Sequence, residues 1–389
     1  MSAAEREITR AETQRRGGWE LRRSKYIWRE VINLSKDGSE QLLSVSQYDG
    51  VRPASEASRS ESLKGYKIVE KGDLVINIML AWMGGLGVSE YDGIVSPAYA
   101  VYKPIAPMEP RFLHYLYRTR RYLADFARHS TGVVPSRWRM YSDDFGQVIT
   151  ELPPLPEQKE IVAYLDAETG RIDKAIAAEE KMIALLQERR EIVINEAVGG
   201  GESRKGWEVK PWNGIFANLD YLRKPITADQ RPRANPQYDY YGASGVIDKI
   251  DYYNVDDTVL LIAEDGANLV LRNLPLVYKA KGKVWINNHA HILKPRVDNY
   301  DFLAYLLESY DYTTLITGSA QPKLSQGQLA TIRLAIPLLP EQEEIVKRLD
   351  AEMGKIDRAI EVKRRQIELL RERRQIVIDE AVTGKVKVA

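Results

Sequence analysis

A duplicated stretch of the chain constrains the fold more than any other feature. Residues 153–200 and 337–384 align without a gap, 184 positions apart, and roughly 30 of about 48 aligned positions are identical. Both copies open on a proline-rich segment followed by Glu-Gln, as in Pro156-Glu157-Gln158, and both end near Glu-Ala-Val. Unrelated amphipathic helices do not share so many identities, so the chain carries a true internal duplication.

Each copy has the pattern of one long helix. Proline followed by carboxylates marks the start, and glycine at Gly199 and Gly384 marks the end. About 42 residues at 1.5 Å each predict a rod of roughly 60 Å, and the other copy is the nearest candidate partner. Two rows of apolar residues at seven-residue spacing, typical of a coiled-coil seam, run along the first copy: Leu165, Ile172, Leu186 and Val193, and Val162, Ile176, Ile183 and Ala197.

The two copies differ most at the middle of the helix. Glu179 of the first copy occupies the same seam row as Lys363 of the second. The midpoints of an antiparallel pair meet, so we predict that these two side chains lie close together and favour pairing of unlike copies. The alternative is that both are solvated, since exposed ion pairs contribute little.

Length, charge and cysteine content bound the class of protein. The 389 residues suffice for two or three domains, and the duplication favours two. A formal net charge of +1 gives no argument for nucleic acid, so any such signal must be local. The absence of cysteine excludes disulfides and suits a reducing cytosol. No apolar run approaches a membrane span, and we expect residues 1–17 to form a charged helical extension of a cytoplasmic protein that does not contact a membrane.

A globular region precedes each long helix. We place the domains at residues 18–152 and 201–336, and the helices at 153–200 and 337–389. The expected fold class is α+β, with two pseudo-symmetric α+β domains joined by two long antiparallel coiled-coil helices. Strands are predicted at 42–46, 74–78, 94–102, 258–263 and 284–293, and helices at 111–128 and 300–308.

No catalytic motif is found in the sequence. A cofactor-binding glycine loop, a Walker loop and an Asn-Pro-Pro-aromatic turn are all missing. His289 and His291 alternate on a predicted strand and would share one face, but without a third ligand a hydrogen-bonding role is favoured over a metal site. Ser244 lies in a glycine turn without a paired histidine. We therefore expect no catalytic residue, no metal and no cofactor bound by this chain.

The positive signal is for nucleic acid. Guanidinium groups bind phosphate and read guanine edges, and aromatic residues between them can stack. A solvated helix face is the alternative for residues 111–128, and a tight turn is the alternative for each loop glycine. Loops that follow Thr131-Gly132 and Thr317-Gly318 at matching places are the stronger candidates. Between residues 111 and 139 the arginines are Arg111, Arg118, Arg120, Arg121, Arg128, Arg137 and Arg139, against Asp125.

The chain resembles the specificity subunits of type I restriction-modification enzymes in the order of its parts. That order is a domain, a helix opening on Pro-Leu-Pro-Glu-Gln, a second domain and a second Glu-Gln helix. The resemblance covers essentially the whole chain. In the second domain, residues 240–245, 263–268, 284–291 and 321–325 resemble one common class of target-recognition domain. The loop positions and the resemblance together predict DNA contacts at Ser44, Gln47, Arg52, Trp82, Arg137, Trp138, Arg139, Tyr241, Ala243, Ser244, Asp265, Asn268, Gln321 and Lys323.

What the resemblance implies is a noncatalytic reader of double-stranded DNA. Each domain would recognise one half of an asymmetric bipartite target, and the helices would set the spacing between halves. Two modification subunits that use S-adenosylmethionine would methylate adenine, and restriction subunits that use ATP and Mg would cleave. The alternative is a coiled-coil scaffold that presents two domains to protein or glycan partners. Salt-dependent binding to duplex DNA would distinguish the two hypotheses.

Overall fold

The computed structural model describes residues 15–16, 18–47, 50–54, 63–134, 137–199, 204–227, 229, 231, 234–318 and 320–387. The chain divides into two compact units, the first comprising residues 1–179 and 365–389 and the second residues 180–364. Each unit therefore contains one domain and one half of each long helix. The domain boundaries given above stay predictions. The helix predicted at residues 1–17 lies outside the described residues, except that Arg15–Arg16 form a strand instead.

The first unit is a mixed α+β domain. Its main sheet, in the order β3-β10-β7-β8, is antiparallel over the residues described. Its strands are β1 (Arg15–Arg16), β2 (Trp19–Arg23), β3 (Trp28–Glu30), β4 (Leu43–Ser46), β5 (Gly50–Pro53), β6 (Lys67–Val69), β7 (Leu74–Asn77), β8 (Leu86–Val88), β9 (Gly93–Val95), β10 (Tyr99–Pro104) and β11 (Ile149–Leu152). Its helices are α1 (Pro110–Tyr117), α2 (Arg120–Arg128), α3 (Ser142–Gln147) and the first part of α4 (Leu155–Val198).

The second unit has a larger sheet in the order β13-β18-β16-β17-β14-β15, in which the β14–β17 pair is parallel. Its strands are β12 (Glu208–Pro211), β13 (Phe216–Asn218), β14 (Tyr238–Gly242), β15 (Gly245–Ile250), β16 (Val255–Ala263), β17 (Val277–Ile286), β18 (Ala290–Pro295) and β19 (Arg333–Ile336). Its helices are α5 (Trp212–Ile215), α6 (Asn268–Leu271), α7 (Tyr300–Ser309), α8 (Gln326–Leu329) and the first part of α9 (Leu339–Val382).

Within each unit the two long helices run antiparallel. In the first, Arg374 Nε donates to Asp173 Oδ1 at 2.9 Å, and in the second, Arg190 Nη1 donates to Asp357 Oδ1 at 2.9 Å. The predicted seam rows are buried or half-buried along both helices. Both helices end where predicted, before a glycine with a φ of +69°. No described helix has an apolar stretch long enough to span a membrane.

Two predicted strands are each split into two by a turn. The predicted strand 94–102 becomes β9 and β10, because Ser96 O accepts from Tyr99 N–H at 3.0 Å around Pro97, which has no N–H for a sheet. The predicted strand 284–293 becomes the end of β17 and β18, since Asn287 Oδ1 accepts from His289 N–H at 2.8 Å. The predicted strands at 42–46, 74–78 and 258–263 and the predicted helix at 300–308 are confirmed to within three residues.

The helix predicted at residues 111–128 is also split. Thr119 has extended backbone angles, and its hydroxyl accepts from Tyr122 N–H at 3.5 Å as the N-cap of α2. The same hydroxyl donates to Leu116 O at 2.8 Å, which closes the end of α1. One capping threonine therefore divides an arginine-rich stretch that has helical spacing on both sides.

A buried glutamine joins each long helix to its domain. Gln158 is 2% exposed, and its Oε1 accepts from Glu109 N–H at 2.8 Å while its Nε2 donates to Pro153 O at 2.8 Å. Gln342 is 0% exposed and makes the same contacts with Asn299 N–H at 2.7 Å and Pro337 O at 2.9 Å. In each unit the bonded N–H belongs to the N-cap of a domain helix, α1 or α7. The Glu-Gln motif therefore fixes the angle between helix and domain.

Replacing Gln342 by alanine should lower the free energy of unfolding by about 2 kcal/mol, because the change leaves buried peptide groups without partners. Glu343→Ala, at the exposed next position, should change it by less than about 0.5 kcal/mol. Chemical denaturation of the full chain measures both values. Equal effects of the two substitutions would contradict this role of the glutamine.

Candidate nucleic-acid interface

Two loops meet in the first unit. Residues 79–85 connect β7 to β8, and residues 131–134 with 137–139 lie between α2 and α3. The rings of Trp82 and Trp138 pack edge to face with centroids 5.3 Å apart. Met140 N–H, just after the second loop, donates to Ile78 O, just before the first, at 2.9 Å. The predicted residues Trp82, Trp138 and Arg137 are thus brought to one surface.

Two loops at the corresponding places meet in the second unit. Residues 264–268 follow β16, and residues 317–318 with 320–323 lie between α7 and α8. Leu324 N–H donates to Glu264 O at 2.8 Å, and Gly266 N–H donates to Pro322 O at 3.1 Å. Lys323 Nζ lies 3.1 Å from Glu264 Oε1. The predicted residues Asp265, Gln321 and Lys323 therefore share one surface.

The second loop of each pair is closed at its base by backbone hydrogen bonds. Thr131 and Arg139 exchange two bonds of 2.9 Å, and Thr317 and Lys323 exchange bonds of 2.9 and 2.7 Å. Glycine follows the threonine in both loops because its φ is positive and a Cβ would lie about 2.5 Å from a carbonyl oxygen across the loop. The closure holds exposed side chains at the loop tip on a fixed backbone.

A network of charged side chains lies beneath the loops of the second unit. Glu264 forms a hydrogen-bonded ion pair with Arg223, whose Nη2 is also 3.5 Å from Asp220 Oδ2. His291 is 1% exposed, with Nδ1 2.6 Å from Asp220 Oδ2 and Nε2 2.8 Å from Leu324 O. Segments from four parts of the domain are joined in this way.

These contacts control the ionisation of both carboxylates. Burial alone would raise the pKa of Glu264, but hydrogen bonds from Arg223 and Lys323 and the charge of His291 lower it below its usual value. The pKa of Asp220 is likewise lowered, because the hydrogen bond and charge of His291 outweigh burial. Both groups therefore stay ionised beside the loops near neutral pH.

The loops of the first unit have a different character. Trp82 Nε1 donates to Met79 O at 3.2 Å, and its ring packs against that of Trp138 in the second loop. Val133 is 95% exposed, and Arg137 is exposed beside it. Arg139 Nη1 donates to Trp138 O at 2.8 Å. Apolar, aromatic and guanidinium groups are thus presented where the second unit presents amide, carboxylate and ammonium groups.

The other predicted contact residues of the first unit lie on a hairpin. Ser44 on β4 and Arg52 on β5 are directly paired across the strands. Gln47 follows β4, and its carbonyl oxygen accepts from Arg118 Nη2 at 2.9 Å. Arg118 Nη1 also donates to Gly84 O at 2.9 Å, so this arginine ties the hairpin to the first loop. DNA contact by Ser44, Gln47 and Arg52 stays a prediction.

The remaining candidates of the second unit are partly engaged within the protein. Asn268 Nδ2 donates to Leu274 O and its Oδ1 accepts from Leu274 N–H, both at 2.9 Å. Tyr241 is 9% exposed, Ala243 is half-buried and Ser244 is exposed at the turn of the β14–β15 hairpin. Contact with DNA by these four residues stays a prediction, and for Asn268 it would require breaking internal bonds.

Three arginines expected to face phosphate or solvent act as internal braces. Arg111 makes a bidentate pair with Asp166 at 2.6 and 2.7 Å. Arg121 makes a bidentate pair with Glu151 at 2.8 and 2.6 Å. Arg118 is the brace between hairpin and loop described above. These three arginines have partners within the protein, so the candidate interface of this unit rests on the two loops and the β4–β5 hairpin, with Arg137 as the exposed loop cation.

The expectation that His289 and His291 share a face is wrong. His289 lies in the turn before β18, where its Nδ1 is 2.8 Å from Asp265 Oδ2, whereas His291 is buried against Asp220. In the part of the chain that the structure describes, no three histidine or acidic side chains converge as a metal site requires. The pairing of Glu179 with Lys363 stays a prediction, since these residues belong to different units.

Sequence analysis missed the side chains that support the second-unit loops. Asp220 and Arg223 lie in no segment singled out in the sequence, and the segment 263–268 gave no sign of the partner of Glu264. Arg223 contacts Glu264 across 41 positions of the chain, and Asp220 contacts His291 across 71. The glycine turn after Glu264 was the available signal. It marked a loop but gave no indication that the carboxylate beside it would be buried.

The fold and the paired loops define a class of protein. Its members contain an internal duplication, and their two α+β domains bear surface loops at matching places. The family described as type I restriction modification DNA specificity domain matches residues 204–370. The type I restriction enzyme MjaVIII specificity subunit of Methanocaldococcus jannaschii is 25% identical over 277 residues, 63% of each chain. A protein of Haemophilus influenzae that is also described as a type I restriction enzyme specificity subunit is 35% identical over 146 residues, 37% of each chain. The chain thus spans between about a third and two thirds of these relatives' lengths.

A solved structure concerned with complex assembly and conformational transition of the type I R-M system contains a similar chain. The TM-score is 0.71 at 15% identity, covering 96% of this chain and 100% of that one, which shows the fold alone. The resemblance to specificity subunits of type I restriction-modification systems is confirmed by these comparisons, and residues 204–370 match the model of that DNA specificity domain. The expected α+β fold class with two long helices is confirmed as well.

The lowered pKa of Glu264 makes a prediction about pH. A carboxylate with a lowered folded pKa stabilises the fold above its unfolded value and loses that contribution as pH falls through the folded value. Glu264→Gln should therefore cost about 2 kcal/mol of unfolding free energy at pH 7 and less at pH 3.5. Denaturation at both pH values measures the difference, with exposed Glu361→Gln as control. An equal loss at the two pH values would contradict the assignment.

Proposed function

We propose that this chain is the noncatalytic, DNA-reading subunit of a type I restriction-modification enzyme. The observation that carries the proposal is the pair of closed loops at corresponding places in both units, with unlike side chains at their tips. Similar positions support one mode of docking on duplex DNA, and unlike side chains support two different half-targets. The bipartite target would then be asymmetric.

The side chains at the loop tips suit base edges in the major groove. Arg137 and Lys323 are exposed cations, and arginine or lysine donates to the O6 and N7 acceptors of guanine. Gln321 is exposed beside Lys323, and an amide can pair with adenine. The closed loop base fixes the backbone, so less conformational entropy is lost on binding than with an open loop.

We propose that the long helices set the spacing between half-targets. A helix of 44 residues extends about 66 Å, enough to separate two readers by about one turn of DNA, roughly 34 Å. The ion pairs Asp173–Arg374 and Arg190–Asp357 support a stiff antiparallel pair in each unit. A stiff spacer would penalise targets whose halves lie at another distance.

Each unit also has an exposed apolar pair on a long helix. In the first unit Leu369 and Ile376 are 49% and 54% exposed, and in the second Leu185 and Ile192 are 48% and 45% exposed. The members of each pair are seven residues apart and so share a face. We propose that each pair docks a helix of one modification subunit, because equivalent surfaces in the two units fit two identical partners. In this proposal S-adenosylmethionine, ATP and Mg are used by the partner subunits.

The proposal is tested by mapping methylated adenines in a host that carries the modification partner, with and without the gene for this chain. The expected result is one asymmetric bipartite motif that disappears with the gene. Methylation independent of this chain, or binding to duplex DNA that does not weaken with salt, would contradict it.

Arg137→Ala and Lys323→Ala should each weaken binding of the assembled enzyme to its mapped target by about 1 kcal/mol or more, since each removes a cation that contacts DNA. Lys36→Ala, which removes an exposed cation that belongs to neither loop, is the matched control. Titration of labelled duplex at several salt concentrations gives the affinities. Unchanged affinity in both variants would exclude these loops as readers.

Charging one apolar pair should remove one partner. Leu369→Glu with Ile376→Glu, or Leu185→Glu with Ile192→Glu, should reduce the bound modification subunits from two to one, because burying two carboxylates in an apolar contact costs several kcal/mol. Native mass spectrometry counts the subunits. Val297→Glu, a change at another exposed apolar residue, is the control and should leave two bound. Two subunits retained by both double variants would refute the docking site.

A further inference from the structure

Leu324, the residue that follows Lys323, is held by both of its backbone polar groups. Leu324 N–H donates to Glu264 O at 2.8 Å, and Leu324 O accepts from His291 Nε2 at 2.8 Å. The Leu324 side chain is 0% exposed and packs into the core of the unit. This residue is therefore the fixed point from which the loop bearing Lys323 emerges.

The environment of His291 allows little freedom of ring orientation. Asp220 Oδ2 is 2.6 Å from Nδ1, and Asp220 is itself held by Ile292 N–H, which donates to Oδ1 at 2.7 Å. Glu264 Oε2 lies 4.0 Å from Nδ1. Carboxylate and carbonyl oxygens only accept hydrogen bonds, so both ring nitrogens have to carry hydrogen for both bonds to form.

Lys323 is coupled directly to this fixed point. Its backbone is bonded to Thr317, and its ammonium lies 3.1 Å from Glu264 Oε1 while the side chain is 54% exposed. The ammonium can therefore turn from Glu264 toward a ligand without movement of the backbone. Loss of the bond between His291 and Leu324 would leave a buried carbonyl unpaired and loosen the residue next to this lysine.

We propose that His291 is a positioning residue for DNA recognition by the second domain. Its Nε2 bond to Leu324 O holds the residue that follows Lys323 and so anchors the end of the loop, and Asp220 orients the ring. The inference rests on the proposed function, which supplies DNA as the ligand. His291 itself is buried and touches no base.

Two substitutions separate the two bonds of the ring. Glutamine places its amide nitrogen near the position of Nε2, and asparagine places its amide nitrogen near that of Nδ1. His291→Gln can therefore keep the bond to Leu324, whereas His291→Asn can keep only the bond to Asp220. Both variants lack the ring, and asparagine is one methylene smaller than glutamine, so a double-mutant cycle with Lys323→Ala separates loss of packing from loss of the bond. Tyr99→Phe, at the position in the first domain that aligns with His291, is the control for the other half-target.

Each variant is expressed with the modification subunit, and the host chromosome is the probe, read by adenine-methylation mapping. His291→Asn should relax the half-motif read by the second domain and weaken binding to a duplex with the mapped motif about tenfold. His291→Gln should keep the motif within about twofold, and Tyr99→Phe should leave it unchanged. If His291→Asn abolishes all methylation, the test rests on His291→Gln. Relaxation of the second-domain half-motif in the His291→Gln variant would then overturn the inference.

A double-mutant cycle with Lys323→Ala excludes a purely structural role. If His291 acts through Lys323, then His291→Asn should have little further effect on affinity once Lys323 is alanine. Multiplying effects would contradict the positioning role even if the half-motif relaxes. A wild-type chain that directs no bipartite motif would instead contradict the proposed function. A wild-type motif left intact by His291→Asn would contradict only this inference.

Discussion

The buried glutamine at the start of each long helix is the contact on which both units depend. A primary amide can accept from one peptide group and donate to another, and Gln158 and Gln342 use both capacities in full burial. They connect the first turn of a long helix to the N-cap of a domain helix. Removing such a link leaves buried peptide groups unpaired, and the same two contacts are made in both copies.

The parts of the fold that follow from local periodicity could be predicted from the sequence. Seven-residue spacing and terminal glycines located both long helices, because these signals depend only on nearby residues. The splits at Thr119 and Pro97 could not be placed, since apolar spacing continues across them and the turn bonds form only in the folded chain. The internal partners of Arg111, Arg118 and Arg121 could not be predicted for a related reason, because a guanidinium group takes whichever carboxylate or carbonyl the fold brings near.

The candidate site likewise has parts that local sequence signals located and parts that depend on the folded chain. Thr131-Gly132 and Thr317-Gly318 located the second loop of each unit, since a left-handed or otherwise strained position requires glycine wherever it occurs. The support beneath the loops was not visible in the sequence. In the second unit it joins Asp220, Glu264 and His291, and the burial that makes the charges matter exists only after the sheet has formed.

The two units support their loops with different side chains, which explains how a duplicated fold can acquire two specificities. The first unit holds its loops together with a tryptophan pair, and the second with buried ion pairs and a histidine. The scaffold contacts, by contrast, occur twice with the same residue types, as in Asp173–Arg374 and Arg190–Asp357. Because the loop supports share no residues with the helix contacts, substitutions beneath a loop can alter what that loop binds without changing the helix pair. Changes in recognition and changes in architecture are therefore energetically separable, as expected for sites with no common partners.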